Sequence, residues 1–190
     1  MNKITGFTLI ELMVTLAVGA ILLSVAVPSF STMIMNNRLI TQTNDFVTAL
    51  NIARSEAIKR SGRVTMCKSN DNTACDISAT GWEQGWIIFV DSDNDAAADA
   101  GEELVRAHGP LGGASGNTIQ GTAALVDYIS YVGTGFSRNI LNATQSGSFA
   151  LCDNRGLIQQ ARAVVISGTG RISSLSATDG GSGVTAAICP

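Results

Sequence analysis

One carboxylate, Glu11, lies inside the apolar run at residues 6–27, GFTLIELMVTLAVGAILLSVAV. A charged side chain in the apolar part of a membrane helix costs about 2.5–3.5 kcal/mol on insertion scales, so such an acid reads as a charge kept for a partner. A second concentration of oxygen donors is DSDNDAAADAGE at residues 91–102. Asp91, Asp93, Asp95, Asp99 and Glu102 fall at positions 1, 3, 5, 9 and 12, the spacing of a calcium loop of the EF-hand kind. The sixth position is Ala96 where that loop wants Gly, and the preceding WIIFV reads as a strand instead of a helix. The competing reading is an Asx-rich turn between two strands. No cofactor is otherwise expected, and calcium is the one ion to consider.

The elements that carry these groups differ in solvent. From Phe7 to Val27 there is no Pro and only one formal charge. At about 1.5 Å per residue the run spans roughly 30 Å of hydrocarbon. Lys3 precedes it and favours a cytoplasmic amino end, with the remainder outside. A cleaved secretory signal ending near Ser24-Val25-Ala26 would be shorter and would have no use for Glu11. Pro28 predicts a kink. Beyond it Leu39, Phe46, Leu50, Ala53 and Ala57 recur at helical spacing, beside Ile40, Val47 and Ile58. Glu56 and Arg60 form an i,i+4 pair, Gly62 suits a position past a helix end, and the helix is expected to close near Ser61.

From Arg63 the chain turns to Gly, Ser, Thr, Asn and short β-branched runs, which predicts a β-rich head. Strands are expected at 64–67, 86–90, 103–107, 128–132, 148–152, 163–167 and 170–174, the last two joined through Gly168-Thr169. A glycine-rich loop at 179–183 is expected before a final strand. The whole is read as α+β: a leader at 1–6, a transmembrane or filament-core helix at 7–27, its amphipathic half at 28–61, and a mainly antiparallel β-sandwich head at 63–190.

All four cysteines, Cys67, Cys75, Cys152 and Cys189, fall in the head. Three pairings are possible. Cys67 with Cys75 would clip a polar loop and Cys152 with Cys189 would tie down the carboxyl terminus, each closure worth about 3–4 kcal/mol in the chain-entropy model. This needs an oxidising compartment. The spacing is poor for zinc. Nor is there an enzyme's constellation: the single histidine, His108, stands beside Gly109-Pro110 as a turn residue, with no nucleophile pattern around it.

The run Gly6-Phe7-Thr8-Leu9-Ile10-Glu11-Leu12 resembles the processing signal of type IV prepilins and of the pseudopilins of type II secretion. The head runs GWIIFVD at 85–91, GEE at 101–103, LCD at 151–153 and GTGR at 168–171 are similar to those of the GspH/FimT family of minor pilins and pseudopilins. The resemblance implies cleavage between Gly6 and Phe7 by a prepilin peptidase, N-methylation of Phe7, and Glu11 as the fifth mature residue, setting register between subunits. It implies partners in other pilin or pseudopilin subunits, the peptidase and an inner-membrane assembly platform. The implied location is the inner membrane, with the head periplasmic, until a pilus or pseudopilus assembles.

The function it implies is that of a minor pilin that starts or caps a type IV pilus at low copy. The alternative is an H-type pseudopilin of a type II secretion system. A third reading, a DNA-binding pilin for transformation, rests on a G-R-x-R patch in some members. Here Gly170-Arg171-Ile172-Ser173 lacks the second Arg, and from Arg63 onward seven Lys or Arg face twelve Asp or Glu. A head with net negative charge argues against a phosphate-binding surface, leaving Arg171 as its one candidate contact.

Overall fold

In the computed structural model the described residues are 6–78, 81–112, 116–156, 158–184 and 189. Most of the leader therefore lies outside them, as does most of the final strand expected near the carboxyl end. The chain divides into two units, residues 1–38 and 39–190.

Helix α1, Leu9–Arg60, runs through Pro28. Its stop is a Schellman turn: the Gly62 amide donates to the Ala57 carbonyl (3.2 Å) and the Ser61 amide to that of Ile58 (3.2 Å). The residue in the left-handed conformation is Ser61 (φ 52°), not the glycine after it. Gly62 serves as the next residue, where only its amide is needed.

Eight strands follow: β1 Val64–Lys68, β2 Trp86–Val90, β3 Leu104–His108, β4 Thr118–Gly121, β5 Tyr128–Tyr131, β6 Gly147–Cys152, β7 Arg162–Ile166 and β8 Ile172–Ser176. They form two antiparallel sheets, ordered β3-β2-β1-β5 and β4-β6-β7-β8. The seven strands expected are present, 86–90 with its ends unchanged and the other six with ends moved by one or two residues. β4 is not foreseen from sequence: Thr-Ile-Gln-Gly is short, carries one buried apolar side chain, Ile119, and ends on glycine. Pairing with β6 makes it a strand.

The two sheets and the second half of α1 close on one core. Alternate residues of the strands face it: Val64 and Met66, Trp86 and Ile88, Ile129 and Tyr131, Phe149 and Leu151, Val164 and Ile166. Leu39, Phe46, Ala49, Leu50, Ala53 and Ala57 supply the helix stripe, while Ile40 and Ile58 stay exposed. Phe46 sits at the centre, edge-on to Trp82 (5.7 Å between centroids), Trp86 (5.1 Å) and Phe149 (4.8 Å).

Each sheet also has a covered outer face. Cys67, Ile87 and Phe89 pack with Cys75, Ala98 and Tyr128 on one; Ala150, Cys152, Ala161, Ala177 and Cys189 cluster on the other. Disulfides Cys67–Cys75 and Cys152–Cys189 each fasten one of these outer layers.

Candidate functional site

The described residues of the first unit are mainly helix, and its apolar side chains are exposed. Phe7 is 88% exposed, and Leu9, Ile10, Leu12, Leu16, Ile21, Leu22, Val25, Val27, Phe30 and Met33 are all exposed. Glu11 sits in the first turn of this apolar sleeve. Its Oε2 accepts from the Thr8 amide (3.3 Å) and hydroxyl (3.2 Å), while the Glu11 amide donates to Thr8 Oγ1 (3.3 Å). Thr8 is thus the N-cap and Glu11 the third helical residue of a capping box. The signal was in the sequence as Thr-x-x-Glu before an apolar run, and attention to the charge alone misses it.

The acidic segment forms the connection from β2 to β3. Asp91 is 1% exposed at the end of β2. Its amide donates to the Arg63 carbonyl (3.1 Å) and its Oδ2 accepts from Thr65 Oγ1 (2.6 Å), whose oxygen lies 2.7 Å from Ser130 Oγ. With the Thr65 proton given to Asp91, Ser130 donates to Thr65. Carboxylate oxygens of Asp91, Asp93 and Asp95 lie within 4.8 Å of one another. Glu102 closes the loop instead of joining them: its Oε1 accepts from the Ser92 amide (2.7 Å) and hydroxyl (3.0 Å), its Oε2 from the Asp99 amide (3.2 Å). Ala96, in the place where glycine was wanted, adopts φ 63° all the same. Burial pushes the Asp91 carboxyl up, against the Thr65 hydrogen bond and the Arg63 charge. The neighbouring charge of Asp95, then burial and Asp93, push up that of Asp99.

His108 is the last residue of β3, not a solvated turn: its ring stacks on Trp86 at 4.1 Å and 6°, with Nδ1 2.6 Å from the Gly109 carbonyl. Arg171 precedes β8 on the 167–171 connection and is exposed. The strand expected at 170–174 would have included it, but β8 starts one residue later; the Arg171 amide donates to Ser167 Oγ and its carbonyl accepts from the Ser167 amide. Arg54 ties that connection to the turn after β5, donating to Thr169 O (3.3 Å) in the one and to Gly135 O (3.0 Å) in the other. Gly170 is needed there, since it has φ 77° and a Cβ would stand 2.0 Å from the Gly135 carbonyl oxygen. The glycine of that sequence run is explained by packing.

A capped, exposed apolar helix and an antiparallel sandwich joined to its second half define a pilin-like subunit. Residues 1–27 match the prokaryotic N-terminal methylation motif, and residues 42–170 match the model for type II transport protein GspH. The chain belongs to the GspH family, whose members are minor pilins and pseudopilins. In fold it is similar to the type IV minor pilin FimU of Pseudomonas aeruginosa, with TM-score 0.58 and 22% identity over 75% of this chain and 92% of that one. The minor pseudopilin EpsH of the type 2 secretion system of Vibrio cholerae also matches, with TM-score 0.48 and 9% identity over 75% and 99%. No curated protein sequence matches.

Proposed function

We propose that the chain is a minor pilin: cut between Gly6 and Phe7 by a prepilin peptidase, methylated at Phe7, and added at low copy to begin or cap a type IV filament. The observation that carries this is the exposed apolar sleeve with one acid, Glu11, five residues past Gly6. Lipid covers such a sleeve before assembly and neighbouring helices cover it afterwards. Before assembly the amino end is cytoplasmic and the head periplasmic, where its disulfides form. Cutting at Gly6 exposes a cationic Phe7 amine at the membrane edge. Glu11 of one subunit and Phe7 of the next offset each other's desolvation and fix the axial register of the bundle.

The likeness to FimU supports the pilus reading. The GspH description of the family favours a second, in which the same subunit serves a secretion pseudopilus. In either case the chain works by assembling with other subunits. Binding of DNA through Arg171 gains little from a head with excess acid.

Terminal sequencing and mass analysis of protein from native membranes test the core claim: a chain beginning at methylated Phe7 supports it, and an uncut one or one trimmed near Ala26 overturns it. Deleting the gene separates the two readings, since loss of surface pili points to the first and loss of protein export with pili intact to the second.

A further inference from the structure

We propose that the β2–β3 loop binds a divalent cation, calcium in preference, through Asp91, Asp93 and Asp95. Two observations carry it. The first is that the three side chains present carboxylate oxygens within 4.8 Å of one another. Such oxygens are hard donors, and calcium gathers several of them in a flexible shell. Alone, crowded acids at a surface mean little.

The second observation sets this cluster apart. Asp91 is 1% exposed, and its Oδ1 is buried with no donor at hydrogen-bond geometry: Thr65 holds the other oxygen, and the Asn94 backbone amide acts on the carboxylate less than burial and Thr65 do. A buried acceptor left unmet carries its full desolvation penalty, which is larger for a charged group. Arg63 does not meet it: the guanidinium donates to Asn94 Oδ1 (2.8 Å) and to the carbonyls of Arg138 (2.9 Å) and Asn139 (3.1 Å). A cation seated between Asp91 Oδ1, Asp93 and Asp95 would satisfy that oxygen and neutralise the charge the loop concentrates.

The site differs from the helix-loop-helix kind that the spacing suggests. Glu102, the twelfth position, is occupied by the Ser92 and Asp99 amides and so shapes the loop without being a ligand. Three aspartates are left, Asp91 buried just past β2 and Asp93 and Asp95 exposed in the loop after it, with solvent and loop carbonyls completing the shell. That donor set fits the weak extracellular class, with a dissociation constant on the order of 0.1–1 mM. Ala98 of the same loop packs on the outer layer that Cys67–Cys75 fastens, so ion binding would tighten that layer.

The test uses the full-length chain in detergent micelles, with tryptophan fluorescence following unfolding of the core around Trp82 and Trp86. Adding about 10 mM calcium chloride to chelator-treated protein should raise Tm by roughly 3–10 °C. Sodium chloride at equal ionic strength should not. The double variant Asp93→Asn with Asp95→Asn should match wild type in chelator and lose the calcium shift. Asp91→Asn, which keeps an acceptor for Thr65, should also lose the shift yet fold at least as stably without ion. An unmoved wild-type Tm, an equal shift with sodium, or a shift kept by the double variant would each overturn the site.

Discussion

Thr8 and Glu11 cap one another at the start of α1, the threonine hydroxyl accepting from the Glu11 amide while the carboxylate accepts from the Thr8 amide. Glu11 therefore has two separable properties, an acceptor that starts the helix and a charge that can meet a neighbour's amine. Glutamine keeps the first and removes the second. Glu11→Gln should be processed normally and fail to enter filaments. Thr8→Val should weaken the helix start by about 1 kcal/mol and still assemble. Sheared filaments probed for the subunit decide it, because a glutamine variant present at wild-type level removes the register role.

Ser61 holds a left-handed backbone that costs a residue with a side chain roughly 1 kcal/mol, and glycine has no such penalty. Ser61→Gly should stabilise the protein by about 0.5–1 kcal/mol, read as a higher denaturant midpoint. Gly133→Ala should do the reverse, since its Cβ would stand 2.6 Å from the Ser61 carbonyl carbon.

Phe46 is fully buried and touches three aromatic rings. Truncation to alanine should cost about 3–5 kcal/mol, while Phe46→Leu should retain most of the stability. Chemical denaturation with tryptophan emission as the readout compares the two. Equal midpoints for Phe46→Ala and wild type would contradict the central position given to this ring.

Acid should act in opposite directions on two aspartates. Asp71 is held below the ordinary value of 3.8 by the Ala74 and Thr73 amides, so its contribution is present above that value and is lost as pH falls through the lowered pKa. Asp91 is pushed above 3.8 by burial, so what it contributes is greatest below that value and declines as pH rises through the raised pKa. In chelator, Asp91→Asn should gain on wild type between about pH 3.5 and pH 7, whereas Asp71→Ala should trail wild type by a nearly constant margin over that interval and close the gap only as pH falls below about 3.5. Urea midpoints at about pH 2.5, 3.5 and 7 measure both, and an Asp71→Ala gap that does not narrow at the lowest pH would contradict the assignment.

Much of this molecule is legible from residue order because its signals are local. The apolar run before Pro28, the stripe Leu39-Phe46-Leu50-Ala53-Ala57 and the β-branched runs each announce their element by period alone. What escapes depends on distant chain. β4 is a strand because β6 offers it an edge, and His108 is half-buried because Trp86 lies across from it in the sheet. The acidic loop is half legible: spacing marks Asp91, Asp93 and Asp95, but only the fold reveals that Glu102 is already engaged and that Ala96 makes the turn without glycine.

The place of Phe46 has a mechanical consequence. A pull on the chain ahead of Leu39 is met by a plug, Phe46, seated among Trp82, Trp86 and Phe149. Under tension, residues 39–190 should hold until the plug is drawn, and then yield together.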